Sequence, residues 1–193
     1  MIAARTRRAA AIRHPQMDWF SKRPEHQTNA TRLRGRPSVT EISPGLLVGE
    51  FPRPEDIAWL KSEFGVTAIH NLQDDEDLAH NGLRERELAE ACGKSGVKFV
   101  RTQIQDGSAD AMAERLADTL GALASLIGAG ERVYLHCNAG LNRAPTLAIA
   151  YLRAHGEMSL DEACAYVKAR RTCGPFMTIL EDYFGPRDHK PGK

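Results

Sequence analysis

The chain has 193 residues, of which 42% are hydrophobic and 26% charged. That fits one ordinary globular domain with some spare length, and no apolar run comes near the roughly 18 residues of a membrane-spanning helix. The formal net charge is only +1, but residues 1–40 hold nine Lys and Arg against Asp18 and Glu25, which leaves the remainder at −6. The four Cys (92, 137, 164 and 173) form no C-x-x-C pair, so neither a disulfide framework nor a zinc site is expected, and a reducing compartment such as the cytoplasm is.

Residues 1–40 show no sustained apolar pattern and read as a basic N-terminal arm, disordered or extended. No apolar h-region follows its arginines, so it is not a secretory signal. A plain tail, an over-long start with Met17 as initiator, an arm for an anionic partner and an Arg-rich targeting segment all remain open. Residues 41–185 are expected to form the domain and 186–193 a C-terminal tail. "GLLVGE" (45–50) reads as a short strand. "PEDIAWLKSEFG" (54–65) reads as a helix that opens on Pro54 and ends before Gly65. "VTAIHNL" (66–72) is a β-branched strand. The acidic run "DDED" (74–77) reads as a solvated loop rather than a metal site.

Further along, 83–96 reads as a helix closed by Gly, and 97–104 as a strand. Met112, Leu116, Leu120, Leu123 and Ile127 recur at helical spacing over 111–128. "RVYLHC" (132–137) is a strand. "RAPTLAIAYLRAHG" (143–156) is a helix apolar nearly all round, hence central. Ser159 and Glu162 form a capping box for a helix over 160–171, and a short helix is expected near 177–184. Strands alternating with helices predict an α/β fold with a mostly parallel sheet covered on both faces.

Two stretches carry Cys-x5-Arg: "CNAGLNR" (137–143) and "CAYVKAR" (164–170). With this many arginines, about 0.4 such matches arise by chance, so the spacing alone decides nothing. Leu160, Ala163, Cys164 and Val167 fall on one helical stripe. Six residues of helix turn about 240°, so Cys164 and Arg170 point apart; Cys164 is expected to be core. Cys137 instead ends a strand, at the edge where open α/β sheets bind ligands. Gly140 permits a loop that turns backbone N–H groups inward, and the next helix adds its positive end. Arg143, in the first helical turn, can pair two phosphate oxygens at once. A thiol at the floor of such a cradle is activated by the charges that bind the phosphate. His136 is read as a loop anchor, with a satisfied core histidine as the plain alternative. A leaving oxygen needs an acid: Asp106 is the first candidate and Asp110 the second, the latter suiting an N-cap better.

These residues resemble the cysteine-dependent dual-specificity phosphatases, whose signature is H-C-x5-R, over about 45–184. The chain looks more closely like the glucan phosphatases, the plant starch-excess type and laforin. "CNAGLNR" is similar to their loop, "RAP" (143–145) and "LQDDEDL" (72–78) to stretches of the plant enzymes, and "RRTCGPF" (170–176) to the stretch after their penultimate helix. The resemblance implies a three-layer α/β/α cysteine-phosphatase fold. It also implies hydrolysis of phosphate monoesters through cysteinyl-phosphate, without cofactor or metal. Cys137 would be the nucleophile, Arg143 the clamp and Asp106 the general acid. Asn138, Ala139, Gly140, Leu141 and Asn142 would supply phosphate-binding amides.

The implied substrate is a phosphoprotein, phosphorylated on Tyr or also on Ser and Thr, or a phosphorylated glucan. A phosphoinositide fits less well, because 138–142 holds no Lys or Arg, and neither nucleic acid nor a membrane is an expected partner. The pattern departs from the family at Asn142, where a second loop Gly is usual. His80, Asn81 and Gly107 stand where sugar-stacking aromatics are expected, and Asn71 stands in place of a regulatory Cys. Ala144 follows the plant enzymes but lacks the usual hydroxyl after the Arg, which predicts slow breakdown of the intermediate. The alternative readings are an inactive phosphate-recognition module and, last, persulfide chemistry.

Overall fold

Within residues 35–190, those described by this computed structural model, the alternation of strand and helix is realised as a five-stranded sheet with helices on both faces. The elements are β1 (Val39–Ser43), β2 (Leu46–Gly49), a 3-10 turn (Pro54–Asp56), α1 (Ile57–Phe64), β3 (Ala68–Asn71), α2 (Asp75–His80), α3 (Glu85–Lys94), β4 (Lys98–Arg101), α4 (Ala109–Gly128), β5 (Val133–His136), α5 (Arg143–His155), α6 (Leu160–Lys168) and α7 (Met177–Phe184). Strand order is β1-β2-β5-β3-β4, with β1 antiparallel to β2 and the other pairings parallel.

Side chains alternate across each strand. Leu46, Val48, Ala68, Val133 and Leu135 join the large core beneath α4 to α7, whereas Leu47, Ile69 and Tyr134 join a second core beneath α1 and α3. Every residue of α5 from Arg143 to Arg153 is buried, which explains why that helix is apolar all round. Truncating a fully buried Leu there, such as Leu147, would cost about 2–5 kcal/mol.

The register places the functional edge. Gly49, His136, Asn71 and Arg101, the last residues of the four parallel strands, are paired in one row. All four strands therefore end level, and the chain leaving β5 emerges at the middle of that rim, between β2 and β3. This is where an open α/β sheet leaves a crevice.

Two elements, β1 and α2, are absent from the sequence reading. β1 begins at Val39, inside the stretch read as an arm, because "VTEIS" is masked by the basic run before it; residues 1–34 lie outside the described residues. The acidic run taken for a solvated loop is the start of α2. Asp74 caps it by accepting from Asp77 N at 2.8 Å, and acids in a first turn suit the positive end of a helix. Asp74 and Asp77 form a capping box without the Ser or Thr that usually marks one. The Ser159–Glu162 box is present as read. α4 starts earlier than expected because Ser108, not Asp110, is its cap. In the C-terminal stretch, Arg187 O accepts from Asp161 N and Lys190 pairs with Glu162, so residues 186–190 pack back on α6.

Candidate active site

Cys137 directly follows β5 and is 2% exposed. The loop after it climbs over the sheet rim and enters α5 at Arg143. Gly140 has φ +66°, and a Cβ there would run into the Arg171 guanidinium and the Gly49 carbonyl. Only glycine allows both that backbone angle and that approach. The carbonyls thus turned outward are held by Arg171, whose side chain is buried. Its Nε donates to Gly140 O at 2.6 Å and its Nη2 to Ala139 O at 3.3 Å. Nη1 and Nη2 also donate to Thr40 Oγ1 and Ser38 Oγ, both at 3.1 Å. The loop is therefore stitched to β1 and to the chain before it by one cation from beyond α6. Burial pulls the Arg171 pKa down, while the charge of the Cys137 sulfur opposes that pull.

Asn142, where a second loop glycine is usual, has φ −119° and needs no glycine. Its Nδ2 donates to Gly174 O at 2.6 Å, and Gly174 N donates to Leu141 O at 2.9 Å. The side chain clasps the loop to the segment after α6. Loop residue Asn138 is fixed from two sides: its carbonyl accepts from Phe51 N at 2.9 Å and its Oδ1 from Asn81 Nδ2 at 2.8 Å.

Arg143 is fully buried. Its Nη1 donates to Asp77 Oδ2 at 2.7 Å and to Ile104 O at 2.8 Å. Its Nη2 lies 2.8 Å from Asp106 Oδ1, an ion pair. Neither Nε nor Nη2 has an aligned hydrogen-bond acceptor, so one edge of the guanidinium, with two parallel N–H groups, is left for an oxyanion. Burial works against the charge, but the Asp77 hydrogen bond and the charges of Cys137, Asp77 and Asp106 outweigh it and raise the Arg143 pKa. Asp106 is half exposed, and its N–H donates to Asp74 Oδ2 at 2.9 Å. It is thus the acid candidate that reaches the clamp. Asp110 is an exposed residue in the first turn of α4.

His136 is buried, and burial lowers its pKa to about 3. Its Nδ1 lies 3.1 Å from Cys137 O. A carbonyl only accepts, so Nδ1 carries the proton of a neutral ring and donates it. The other Cys-x5-Arg match is not a site: Cys164 is half-buried against the core, and Arg170, beyond the end of α6, lies 3.4 Å from the Tyr166 ring centroid. Beside Asn138 a cavity of about 400 Å³ opens, lined by Asp74, Glu76, Asp77, His80, Gln105 and Asp106. Asp74, Asp77 and Arg171 were not singled out from the sequence. Arg171 lay inside the quoted "RRTCGPF", but nothing local marks which of two adjacent arginines turns inward.

The family model of the dual specificity phosphatase catalytic domain matches residues 53–180. The chain belongs to this family. The match takes in the whole of 136–143, together with Asp77, Asp106 and Arg171. Among curated proteins, the dual-specificity phosphatase chain is 34% identical over 147 residues to the amyloplastic phosphoglucan phosphatase DSP4 of Castanea sativa, which covers 72% of this chain and 38% of that protein. It is 29% identical over 136 residues to the chloroplastic phosphoglucan phosphatase LSF1 of Arabidopsis thaliana, covering 70% of this chain and 23% of that one. The chain thus spans well under half the length of these relatives. A solved structure of Tk-PTP in its active form superposes with a TM-score of 0.63 at 23% identity, covering 75% of this chain and 94% of that one, and carries the likeness of fold.

Proposed function

We propose that this domain hydrolyses phosphate monoesters through a cysteinyl-phosphate. The observation that carries the reading is the Nε–Nη2 edge of a buried Arg143, met only by the exposed Asp106 carboxylate at Nη2, six residues after a buried cysteine. In the first step the Cys137 sulfur attacks phosphorus, the bond to the leaving oxygen breaks, and Asp106 gives that oxygen its proton. Arg143 pairs two non-bridging oxygens, and the amides of 138–142 complete the cradle. In the second step water attacks phosphorus, Asp106 takes a proton from it, and inorganic phosphate leaves the restored cysteine. His136 stays neutral and anchors the loop at Cys137 O; it transfers no proton in either step.

Two relatives are named phosphoglucan phosphatases and a human one a dual specificity protein phosphatase, which supports a phosphorylated glucan or a phosphoprotein as the substrate. The four acidic residues that line the cavity beside the loop disfavour a substrate with a second phosphate near the first, because like charges at short range repel. A reducing compartment, the cytoplasm, suits the four free thiols. The direct test is a Cys137→Ser or Asp106→Ala variant as a substrate trap, offered phosphopeptides and phosphorylated glucans side by side. Retention of either one, together with no aryl-phosphate turnover by the unsubstituted protein, would leave a phosphate-recognition module in place of an enzyme.

A further inference from the structure

Asp77 has no role in the steps above, yet it is the most firmly placed partner of the clamp. Its side chain is 5% exposed, against 52% for Asp106. With Ile104 O it occupies Nη1, which leaves the Nε–Nη2 edge to Asp106 or an oxyanion. A guanidinium is planar, so two acceptors fixed on one nitrogen set the direction in which the other nitrogens point. Asp77 is itself fixed by α2. That short helix and its caps touch all three parts of the site: Asp77 holds Arg143, Asp74 accepts from Asp106 N, and Asn81 donates to Asn138 Oδ1.

We infer that Asp77 is a positioning residue for the phosphate clamp: it holds Arg143 in the plane that presents Nε and Nη2 to an oxyanion, and α2 keeps that plane in register with the acid and the loop. The inference rests on the phosphatase reading. The two carboxylates on Arg143 then act in opposite directions. Asp106, exposed and on Nη2, competes with an incoming oxyanion and is displaced by it. Asp77, buried and on Nη1, does not compete and is needed. Charge alone makes a different forecast, since removing either negative group near a dianion should strengthen its binding.

Calorimetric titration with tungstate, a tetrahedral dianion that needs no turnover, separates the two. Asp106→Asn is expected to bind tungstate about tenfold more tightly and Asp77→Asn about tenfold more weakly, within the span of couplings between contacting groups. Glu76→Gln removes a charge from the same helix without touching Arg143 and is expected to bind equally or more tightly. With an aryl phosphate, Asp77→Asn is expected to lose about a hundredfold in kcat/KM while keeping the acid-dependent limb of its pH profile, which Asp106→Asn loses. If Asp77→Asn does not give a cooperative thermal transition, Asp77→Glu replaces it, and weaker tungstate binding is again expected. Tungstate binding by the Asp77 variant as tight as that of the unsubstituted protein, or tighter, overturns the inference and leaves the phosphatase reading standing. No tungstate binding by the unsubstituted protein overturns both.

Discussion

Acidification from pH 7 to pH 5 is expected to remove roughly 3.6 kcal/mol of folding stability through two histidines. His70 and His136 are both fully buried, and burial pushes their pKa values down from 6.5 to about 4 and about 3. Neither ring has a carboxylate partner: His70 Nε2 meets Thr102 Oγ1 at 2.7 Å, and His136 Nδ1 meets Cys137 O. In the unfolded chain each ring gains a proton as the pH falls through about 6.5, while in the native protein it stays neutral until about 4 or below. The unfolded state therefore binds more protons across this window, and stability falls with pH at up to about 1.4 kcal/mol per unit for each ring. The loss is small above the unfolded pKa, so two units of pH remove roughly 1.8 kcal/mol per histidine. Urea denaturation at pH 7, 6 and 5 and constant ionic strength reads this directly. His70→Gln should halve the slope. A drop of under about 1 kcal/mol between pH 7 and 5, or a slope unchanged in His70→Gln, would refute the reasoning.

The loop geometry makes three further predictions. Gly140→Ala forces a side chain at φ +66° into Arg171 and the Gly49 carbonyl. It should cost at least about 1–2 kcal/mol of stability and lower kcat/KM about a hundredfold, and wild-type kinetics would contradict this. Asn142→Ala removes the bond to Gly174 O and should cost about 1 kcal/mol, with faster hydrogen exchange at the Gly174 amide; unchanged exchange there would show that the clasp is idle. Ala144→Ser restores a hydroxyl at the buried first turn of α5 and should raise turnover of an aryl phosphate, whereas no gain, or a loss, argues that breakdown of the intermediate is not slowed at this position.

Much of this architecture was legible in the chain because strand and helix periods are strong where burial is strong. "RVYLHC" and "RAPTLAIAYLRAHG" sit at the centre of the fold, and their patterns follow from having core on every side. Cys137, Gly140 and Arg143 were legible for the same reason, since strand, loop and helix start are local events. α2 was not, because its capping box uses two aspartates and its charge reads as solvated. Its function comes only from Arg143, Asp106 and Asn138, which lie 66, 32 and 57 residues away. Arg171 is a similar case: its partners lie in the loop after β5, in β1 and just before β1, and burying an arginine on such a set is a tertiary decision that no local pattern records. Asn142, a departure from the family pattern with no local explanation, finds the partner of its side chain at Gly174 O, 32 residues away.

The central claim is that phosphorus passes through the Cys137 sulfur. Acid-quenching the reaction with an aryl phosphate, followed by peptide mass mapping, tests it most directly. One phosphoryl group is expected on the peptide that contains Cys137, formed with a stoichiometric burst of the released phenol and absent from Cys137→Ser. Turnover by Cys137→Ser at the rate of the unsubstituted protein, or a phosphoryl group mapped to any other residue, would contradict it.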